Sequence, residues 1–233
     1  GNTWFSLSPD NTMQSFNKGK VYFKQVINNT DGVGIGTFSV NKPFHVGGNI
    51  LSLITGDEMT NIPSYLNYSN TFKNLFKECT TLLKVSKTLL NEQDTLPSKS
   101  CISMFEGCEN LINAPDLPEG KSYSFNHMFK NCKSLVVPPI FNQTNFSYNC
   151  NAMFEGCEKL TYLNDLTIES SYQSFQNTFE GCVSLKDASN ITFKSMGVLA
   201  GSGMFYGCRS LVNSPNITDK NIVAEHAGDQ MFY

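Results

Sequence analysis

The stretch MFEGCENL at residues 104–111 sets the interpretation of the chain, because it returns as MFKNCKSL at 128–135, MFEGCEKL at 153–160 and MFYGCRSL at 204–211. Its phenylalanine recurs at spacings of 24–29 residues within a chain of 233 residues. A period near 25 residues is typical of a solenoid and lies inside the leucine-rich-repeat range. The motif phenylalanines are Phe76, Phe105, Phe129, Phe154, Phe179 and Phe205, and Phe232 belongs to a last fragment.

A cysteine follows each of the first six phenylalanines after three residues, and a leucine follows each cysteine after three more. The cysteines are Cys79, Cys108, Cys132, Cys157, Cys182 and Cys208; the leucines are Leu82, Leu111, Leu135, Leu160, Leu185 and Leu211. The pattern F-x-x-C-x-x-L therefore defines six coils, numbered here 1 to 6 from Phe76 to Phe205, and a truncated seventh.

Upstream of each cysteine, the apolar residues follow the spacing of a helix. In coil 3, Phe125, Met128, Phe129 and Cys132 stand at i, i+3, i+4 and i+7, which is one face of a 3.6-residue period. Ser, Asn and Tyr cluster before these segments and suit helix N-caps. The sequence therefore predicts a short α-helix in every coil, followed by a turn at Gly or Asn.

Downstream of each cysteine, the pattern L-x-x-A-x-x-L predicts a short strand, as at Leu111, Ala114 and Leu117. Pro follows the middle position in several coils, and the strand is expected to stop there because Pro cannot donate to a ladder. We expect a polar loop to lead into the next helix. The predicted fold class is an α/β repeat solenoid, a leucine-rich-repeat-like right-handed coil of one short strand and one short helix per unit.

Residues 1–70 lack the motif and are predicted to form a β-rich N-terminal cap, while residues 71–233 form the repeat array. The first apolar face of a solenoid has to be covered, and the stretches at 18–27, 34–40 and 44–54 have the composition of strands. NTDG at 29–32 predicts a hairpin turn between the first two.

Composition excludes some classes of function. The chain is 40% hydrophobic and 16% charged, with a net charge of −3 and no basic run, so it has no electrostatic footprint for nucleic acid. No apolar stretch is long enough for a membrane-spanning helix, and no membrane insertion is expected. Because the chain starts at Gly1 rather than Met, we interpret it as a processed or truncated product that could have lost an export signal.

The eight cysteines allow three interpretations. Stacked coils place the motif cysteines in a line, which cannot surround one zinc ion tetrahedrally, and no C-x-x-C occurs. Cys101 and Cys108 are too far apart along a helix for a disulfide, whereas cysteines of neighbouring coils come within range with poor geometry. We favour free, buried thiols that act as small hydrophobic residues, and we expect no metal and no cofactor.

Catalytic patterns are weak. His45, His127 and His226 are isolated from one another and from any repeated partner, and no Ser stands in G-x-S-x-G. The stretch GVGIG at 32–36 lacks the spacing of a phosphate loop. With no set of residues for catalysis, the sequence predicts a protein that is not an enzyme.

The stretches MFEGCENLINAPDLP, MFKNCKSLVVPP, MFEGCEKL and MFYGCRSLVNSP resemble the BspA-type leucine-rich-repeat proteins of Bacteroides-like bacteria. The likeness covers about residues 40 to 233. It implies an exported, cell-surface or outer-membrane-associated adhesin, often a lipoprotein whose N-terminal lipid anchor would lie outside this fragment. It also implies binding to a host or neighbouring-cell surface or matrix protein, and it supplies no catalytic residues.

Six variable positions, two residues after each motif leucine, are predicted to face outward and form the ligand-binding face. They are Lys84, Asn113, Val137, Tyr162, Asp187 and Asn213, called here the face column. Solenoids use such continuous surfaces for recognition, and Tyr162 beside Val137 is the most anchor-like pair. Alternatives to protein binding are a carbohydrate-binding module, a structural stalk of a larger surface protein, or an enzyme if a further domain follows.

Overall fold

The computed structural model describes residues 41–48, 50, 70–90, 95–96, 98–120, 123–142, 145–218 and 230–232. The predicted hairpin turn at 29–32 and its two strands lie outside the described residues, as does most of the predicted cap. The division of the chain at residue 70 therefore stays a prediction.

The motif phenylalanines form one continuous stack that runs through all the coils. Consecutive rings, from Phe76 to Phe232, lie 5.4–5.5 Å apart with interplanar angles of 3–13°. This distance is close to the separation of neighbouring strands, about 4.8 Å, so each coil lies directly on the previous one with equivalent residues in register. The repeat that the sequence predicts is the repeat of the fold.

The predicted helix is wrong. The ten residues that end at each motif cysteine, called here the turn segment, form consecutive tight turns; in coil 3 this segment is residues 123–132. Met128 N–H donates to Phe125 C=O at 3.2 Å and Cys132 N–H to Phe129 C=O at 3.0 Å, three residues back rather than four. Between them, Phe129 N–H donates to Met153 C=O of the next coil at 2.9 Å. Alternate amides thus leave the segment, which no α-helix permits.

Positive φ angles mark the same difference. In coil 3, φ is +62° at Tyr123, +57° at His127 and +59° at Asn131, whereas every residue of an α-helix has negative φ. The helix-like spacing arose because turns of three and four residues bring Phe125, Met128, Phe129 and Cys132 to the inner side, where all four are buried. The predicted N-caps have no helix to cap.

Within the described part of the chain, no helix is long and apolar enough to span a membrane.

The strands are short and pair in parallel. They are β1 (Phe44–Val46), β2 (Leu82–Val85), β3 (Thr95–Leu96), β4 (Glu119–Gly120), β5 (Asn145–Ser147), β6 (Leu166–Tyr172), β7 (Ile191–Val198) and β8 (Asn216–Ile217). They form the sheets β1-β2, β3-β4 and β5-β6-β7-β8. Single parallel bridges, such as Asn113 with Val137 and Asp187 with Asn213, continue the pairing after the motif leucines.

The longest strands stand where a polar loop was expected. In β7, Ile191 and Phe193 are buried while Lys194 is exposed, which is the alternation of a half-buried strand; Met196 is buried again after an irregularity in the pairing with β6. A second run of strand pairing, rather than a polar loop, completes these coils.

The motif cysteines connect the coils through their thiols. Five Sγ atoms donate to the carbonyl of a motif phenylalanine in the preceding coil at 3.0–3.2 Å. The donors are Cys108, Cys132, Cys157, Cys182 and Cys208, and the acceptors are Phe76, Phe105, Phe129, Phe154 and Phe179 in the same order. The cysteine is therefore a buried hydrogen-bond donor as well as a small apolar residue.

Candidate functional site

The face column runs across the coils on the segment that follows the motif leucines. Leu111 and Leu135 point inward and are fully buried, while the residues one and two positions later are half-buried or exposed. The parallel bridges Asn113–Val137 and Asp187–Asn213 place equivalent positions of successive coils side by side. The predicted ligand-binding residues thus occupy equivalent places along one face; whether they bind a ligand stays a prediction.

The column begins with a positive charge. Lys84 is exposed, and no ion pair involves it among the residues that the structure describes. Asn113 is half-buried and differs in role, because its side chain joins two coils. Its Nδ2 donates to Val85 C=O at 2.7 Å, and its Oδ1 accepts from Val85 N–H at 3.3 Å. The side chain of Asn113 therefore serves mainly to join coils 1 and 2, and less to contact a ligand.

The middle of the column is apolar. Val137 is 36% exposed and Tyr162 44%, and they occupy the same position in coils 3 and 4. Three neighbours that the sequence analysis did not select extend the patch: Ile112, Val136 and Ile140 are also exposed. These five residues are called here the apolar patch. The signal for these residues was the stretch VVPPI at 136–140, in which three apolar residues flank two prolines.

The apolar patch rests on a fixed backbone. Val136 and Val137 both direct their N–H groups to Ile112 C=O, at 3.0 and 3.1 Å. The carbonyls of the two prolines are held by side chains of coils 1 and 4: Lys87 Nζ donates to Pro138 at 2.9 Å. Asn164 Nδ2 donates to Pro139, also at 2.9 Å. The side chains on this backbone are therefore positioned before any partner arrives.

The far end of the column is acidic and rich in amides. Asp187 Oδ1 accepts from Ser189 N–H at 2.8 Å, and its Oδ2 accepts from Asn213 Nδ2 at 3.0 Å. Hydrogen bonds from Ser189 and Asn213 hold the pKa of Asp187 below its usual value, because they stabilise the charged form. Asp165 accepts from Asn190 in the same way at 3.1 Å. In the described part of the chain, neither carboxylate belongs to an ion pair.

The cysteines form a packed line and not a reactive site. All eight are free, and seven are buried. Burial raises the pKa of Cys101 and Cys208 to about 12, and it raises the pKa of Cys108 and Cys132 well above that of an ordinary thiol. A nucleophilic cysteine needs the opposite shift and access to solvent.

Among the described residues, no three His, Cys, Asp or Glu side chains come together as metal ligands would. The expected absence of metal and cofactor stays a prediction.

A comparison with solved structures finds a likeness to the crystal structure of a leucine-rich-repeat protein of T. pallidum (TpLRR). The TM-score is 0.51 at 20% sequence identity, and the match covers 84% of this chain and 82% of that chain. No protein-family model matches the chain, and a search of curated proteins gives no match. The likeness shows a leucine-rich-repeat-like fold, while the more specific resemblance to BspA-type proteins stays a prediction.

Proposed function

We propose that the chain is a non-enzymatic protein-binding module and that its partner lies on the apolar patch. The observation that carries this proposal is the clustering of Ile112, Val136, Val137, Ile140 and Tyr162 on one face, all of them 36–50% exposed. Contiguous exposed apolar residues with a polar rim are typical of interaction sites. The leucine-rich-repeat-like fold supports the proposal because repeat proteins present such continuous surfaces.

The rim of the apolar patch is polar on both sides. Lys87 and Asp116 form an ion pair of 3.2 Å on the side of coil 1. On the opposite side stand Asp165, in the same coil as Tyr162, and Asp187 in the next coil. A partner would bury the apolar centre first and then meet charges that fix its orientation. Tyr162 is the expected anchor because aromatic residues lead interface energetics.

The resemblance of the motifs to BspA-type proteins adds a setting to this proposal. In that setting the chain is an exported module that acts at the cell surface, where it binds a host or neighbouring-cell protein. The proposed cell-surface setting rests on the motif residues alone. Antibody labelling of intact cells that produce the natural protein would test it, and signal only after permeabilisation would count against it.

The binding proposal is tested by capture from host matrix and co-resident cells with two matched variants. Val137→Asp places a charge at the centre of the patch. Val212→Asp makes the same change in coil 6 at a valine that is 82% exposed and lies outside the patch. We expect Val137→Asp to lose the captured partner and Val212→Asp to keep it. Equal capture by both variants and the unchanged chain would remove the patch as the binding site.

A carbohydrate ligand is a second candidate with a specific observation in its favour. Tyr162 is an exposed aromatic residue next to two Asp–Asn pairs, Asp165 with Asn190 and Asp187 with Asn213. An aromatic surface with nearby amide and carboxylate groups suits sugar rings and hydroxyls. On a glycan array, a sugar-binding chain should lose its signal in Tyr162→Ala and in Asp187→Ala. A protein-binding chain should give no signal at all.

A further inference from the structure

The face column is ordered by charge along the repeat. In the sheet β1-β2, His45 is in register with Lys84, so the order along the stack is His45 on β1 and then Lys84, Asn113, Val137, Tyr162, Asp187 and Asn213 on coils 1 to 6. Lys84, which belongs to no ion pair among the residues that the structure describes, and Asp187 lie on opposite sides of Val137, each two coils away. With rings of neighbouring coils 5.4–5.5 Å apart, both charges are roughly 11 Å from the central position, since equivalent atoms of stacked coils repeat at this spacing.

Such an order is self-complementary. Consider a two-fold axis that lies in the plane of the face at the level of coil 3 and runs perpendicular to the direction in which the coils stack. Rotation about this axis places a second copy of the chain against the face, with its face column running in the opposite direction. Lys84 of one copy then faces Asp187 of the other, and Asn113 faces Tyr162. Val137 faces its own copy on the axis. This is the isologous contact that two-fold dimers use, in which residue i meets j and j meets i.

The other exposed apolar residues of coil 3 satisfy the same symmetry. Val136 and Ile140 also lie at the level of the axis, so each meets its own copy, apolar against apolar. The same rotation brings Asp116 opposite Asp165. Since Lys87 Nζ already pairs with Asp116 at 3.2 Å, this contact brings an ion-paired carboxylate opposite one that accepts a hydrogen bond from Asn190. The net charge of −3 adds little general repulsion between two copies.

We propose that this face takes a second copy of the same chain, in a two-fold dimer centred on Val136, Val137 and Ile140 and held in register by Lys84 and Asp187. The proposal rests on the proposed function, because it names the partner of the same apolar patch. The patch spans only three coils and belongs with small interfaces. We therefore expect a weak dimer that forms at high micromolar concentration.

Sedimentation velocity of the full chain over a concentration series tests the proposal, with charge reversal as the decisive set of variants. Lys84→Asp and Asp187→Lys each place two like charges in contact, twice per dimer by symmetry. Each should raise the dissociation constant about tenfold or more. The double variant restores opposite charges in swapped places, and its dissociation constant should return close to that of the unchanged chain.

The two single variants also distinguish the contact between Lys84 and Asp187 from an effect of the overall charge of the chain. Lys84→Asp makes the net charge more negative by two units, and Asp187→Lys makes it less negative by two. General repulsion would therefore weaken the dimer in one and strengthen it in the other, whereas the paired contact weakens it in both. Both positions are on the surface, and circular dichroism of each variant checks that it folds.

The outcomes separate this inference from the proposed function. A chain that stays monomeric at all concentrations but loses a captured foreign partner in Val137→Asp overturns the dimer and keeps the binding face. A dimer that forms equally well in Lys84→Asp, Asp187→Lys and Val137→Asp uses another surface and also overturns the inference. A monomeric chain in which Val137→Asp changes no binding removes both proposals.

Discussion

The turn segments and the face column belong to the same six coils, yet they differ in whether the same residue type returns from coil to coil. In the turn segments, Phe and Cys return at every repeat, and all of these side chains except the half-buried Cys208 are buried. In the face column, the equivalent position is Lys, Asn, Val, Tyr, Asp and Asn in turn, with side chains that are half-buried or exposed. One region stacks each coil on the next; the other is free to differ without disturbing the stack.

This difference has an energetic side. The five motif phenylalanines from Phe105 to Phe205 each stack on two others, and buried aromatic pairs add stability beyond their burial. An exposed residue of the face column contributes little to folding, and its substitution usually changes stability by less than about 0.5 kcal/mol. Stability and recognition are therefore expected to separate by position within the repeat. The following predictions test that separation, from the largest effect to the smallest.

The largest effect is expected from alkaline pH, which acts on the thiols of the turn segments. Burial raises the pKa of seven cysteines, to about 12 for Cys101 and Cys208 and well above ordinary values for the other five. These are Cys108, Cys132, Cys150, Cys157 and Cys182. The unfolded chain loses these protons from roughly pH 8.5, so the folded chain binds more protons above that pH. Its free energy of unfolding must then fall as pH rises.

Each fully buried thiol should remove up to about 1.4 kcal/mol per pH unit within that window, and the half-buried Cys208 should remove less because solvent screens its charge. Urea denaturation under reducing conditions at several pH values between neutral and about 10 measures this loss. A Cys132→Ala variant should show a shallower dependence, because it has one thiol fewer. Constant stability over the whole window would mean that the thiols are bridged or exposed, against the structure.

The second effect compares two positions in the phenylalanine stack. Phe129 lies between Phe105 and Phe154, with ring centroids at 5.4 and 5.5 Å, and it is fully buried. Phe129→Ala should therefore cost about 3–5 kcal/mol in urea denaturation. Phe232 stacks on Phe205 and is 48% exposed, so Phe232→Ala should cost about 1 kcal/mol. Similar costs at both positions would show that the stack is not what stabilises the coils.

A variant that keeps most of the side-chain volume at position 129 still tests the stack if Phe129→Ala does not fold. Phe129→Leu should stay folded with an intermediate cost, since core positions tolerate hydrophobic residues of similar size. The order Phe232→Ala, Phe129→Leu, Phe129→Ala in increasing cost is the expected result.

The sequence predicted the repeat and its inner residues because both depend only on periodic burial. Phe125, Met128, Phe129 and Cys132 are buried as their spacing indicates. The same spacing could not distinguish a helix from a series of turns, because three-residue and four-residue steps bring the same positions inward. The deciding bonds, such as Phe129 N–H to Met153 C=O at 2.9 Å, join residues of neighbouring coils, which stand a whole repeat apart along the chain.

Two further features went unpredicted for different reasons. The strand β7 carried a visible signal, the alternation of Ile191, Phe193 and Lys194, which the expectation of a polar loop overrode. The bond from Cys132 Sγ to Phe105 C=O carried none, because periodicity shows that a residue is inside but not what its polar atom meets. In the face column, Val137 and Tyr162 were placed outward from their register, whereas the inter-coil bonds of Asn113 depend on a neighbouring backbone.

The third prediction uses two buried cysteines that differ in their partners. Cys132 Sγ donates to Phe105 C=O at 3.1 Å, whereas Cys150 has no such bond among the described residues and is equally buried. In Cys132→Ser, the hydroxyl takes over an existing acceptor. In Cys150→Ser, a buried hydroxyl is left without a partner, which costs about 1–3 kcal/mol. Urea denaturation should therefore show Cys150→Ser to be the less stable variant by that amount.

Alanine variants at the same positions provide the control, because they remove the polar atom altogether. Cys150→Ala should be more stable than Cys150→Ser, while Cys132→Ala should be no more stable than Cys132→Ser. If both serine variants lost equal stability relative to their alanine counterparts, the thiol bonds would have no role beyond filling space.

The smallest effect on stability is expected for the face column, where substitutions should change binding and leave folding almost unchanged. Tyr162 is 44% exposed and Leu160, two residues earlier in the same coil, is fully buried. Leu160→Ala should cost about 2–5 kcal/mol, whereas Tyr162→Ala should stay within about 0.5 kcal/mol of the unchanged chain. Urea denaturation of both variants, next to their capture of the partner, measures the two roles in one coil. A stable Tyr162→Ala chain that no longer binds would place recognition in the variable position. A large loss of stability in Tyr162→Ala would mean that this residue holds the coils together, and that its variation along the repeat has a structural cause.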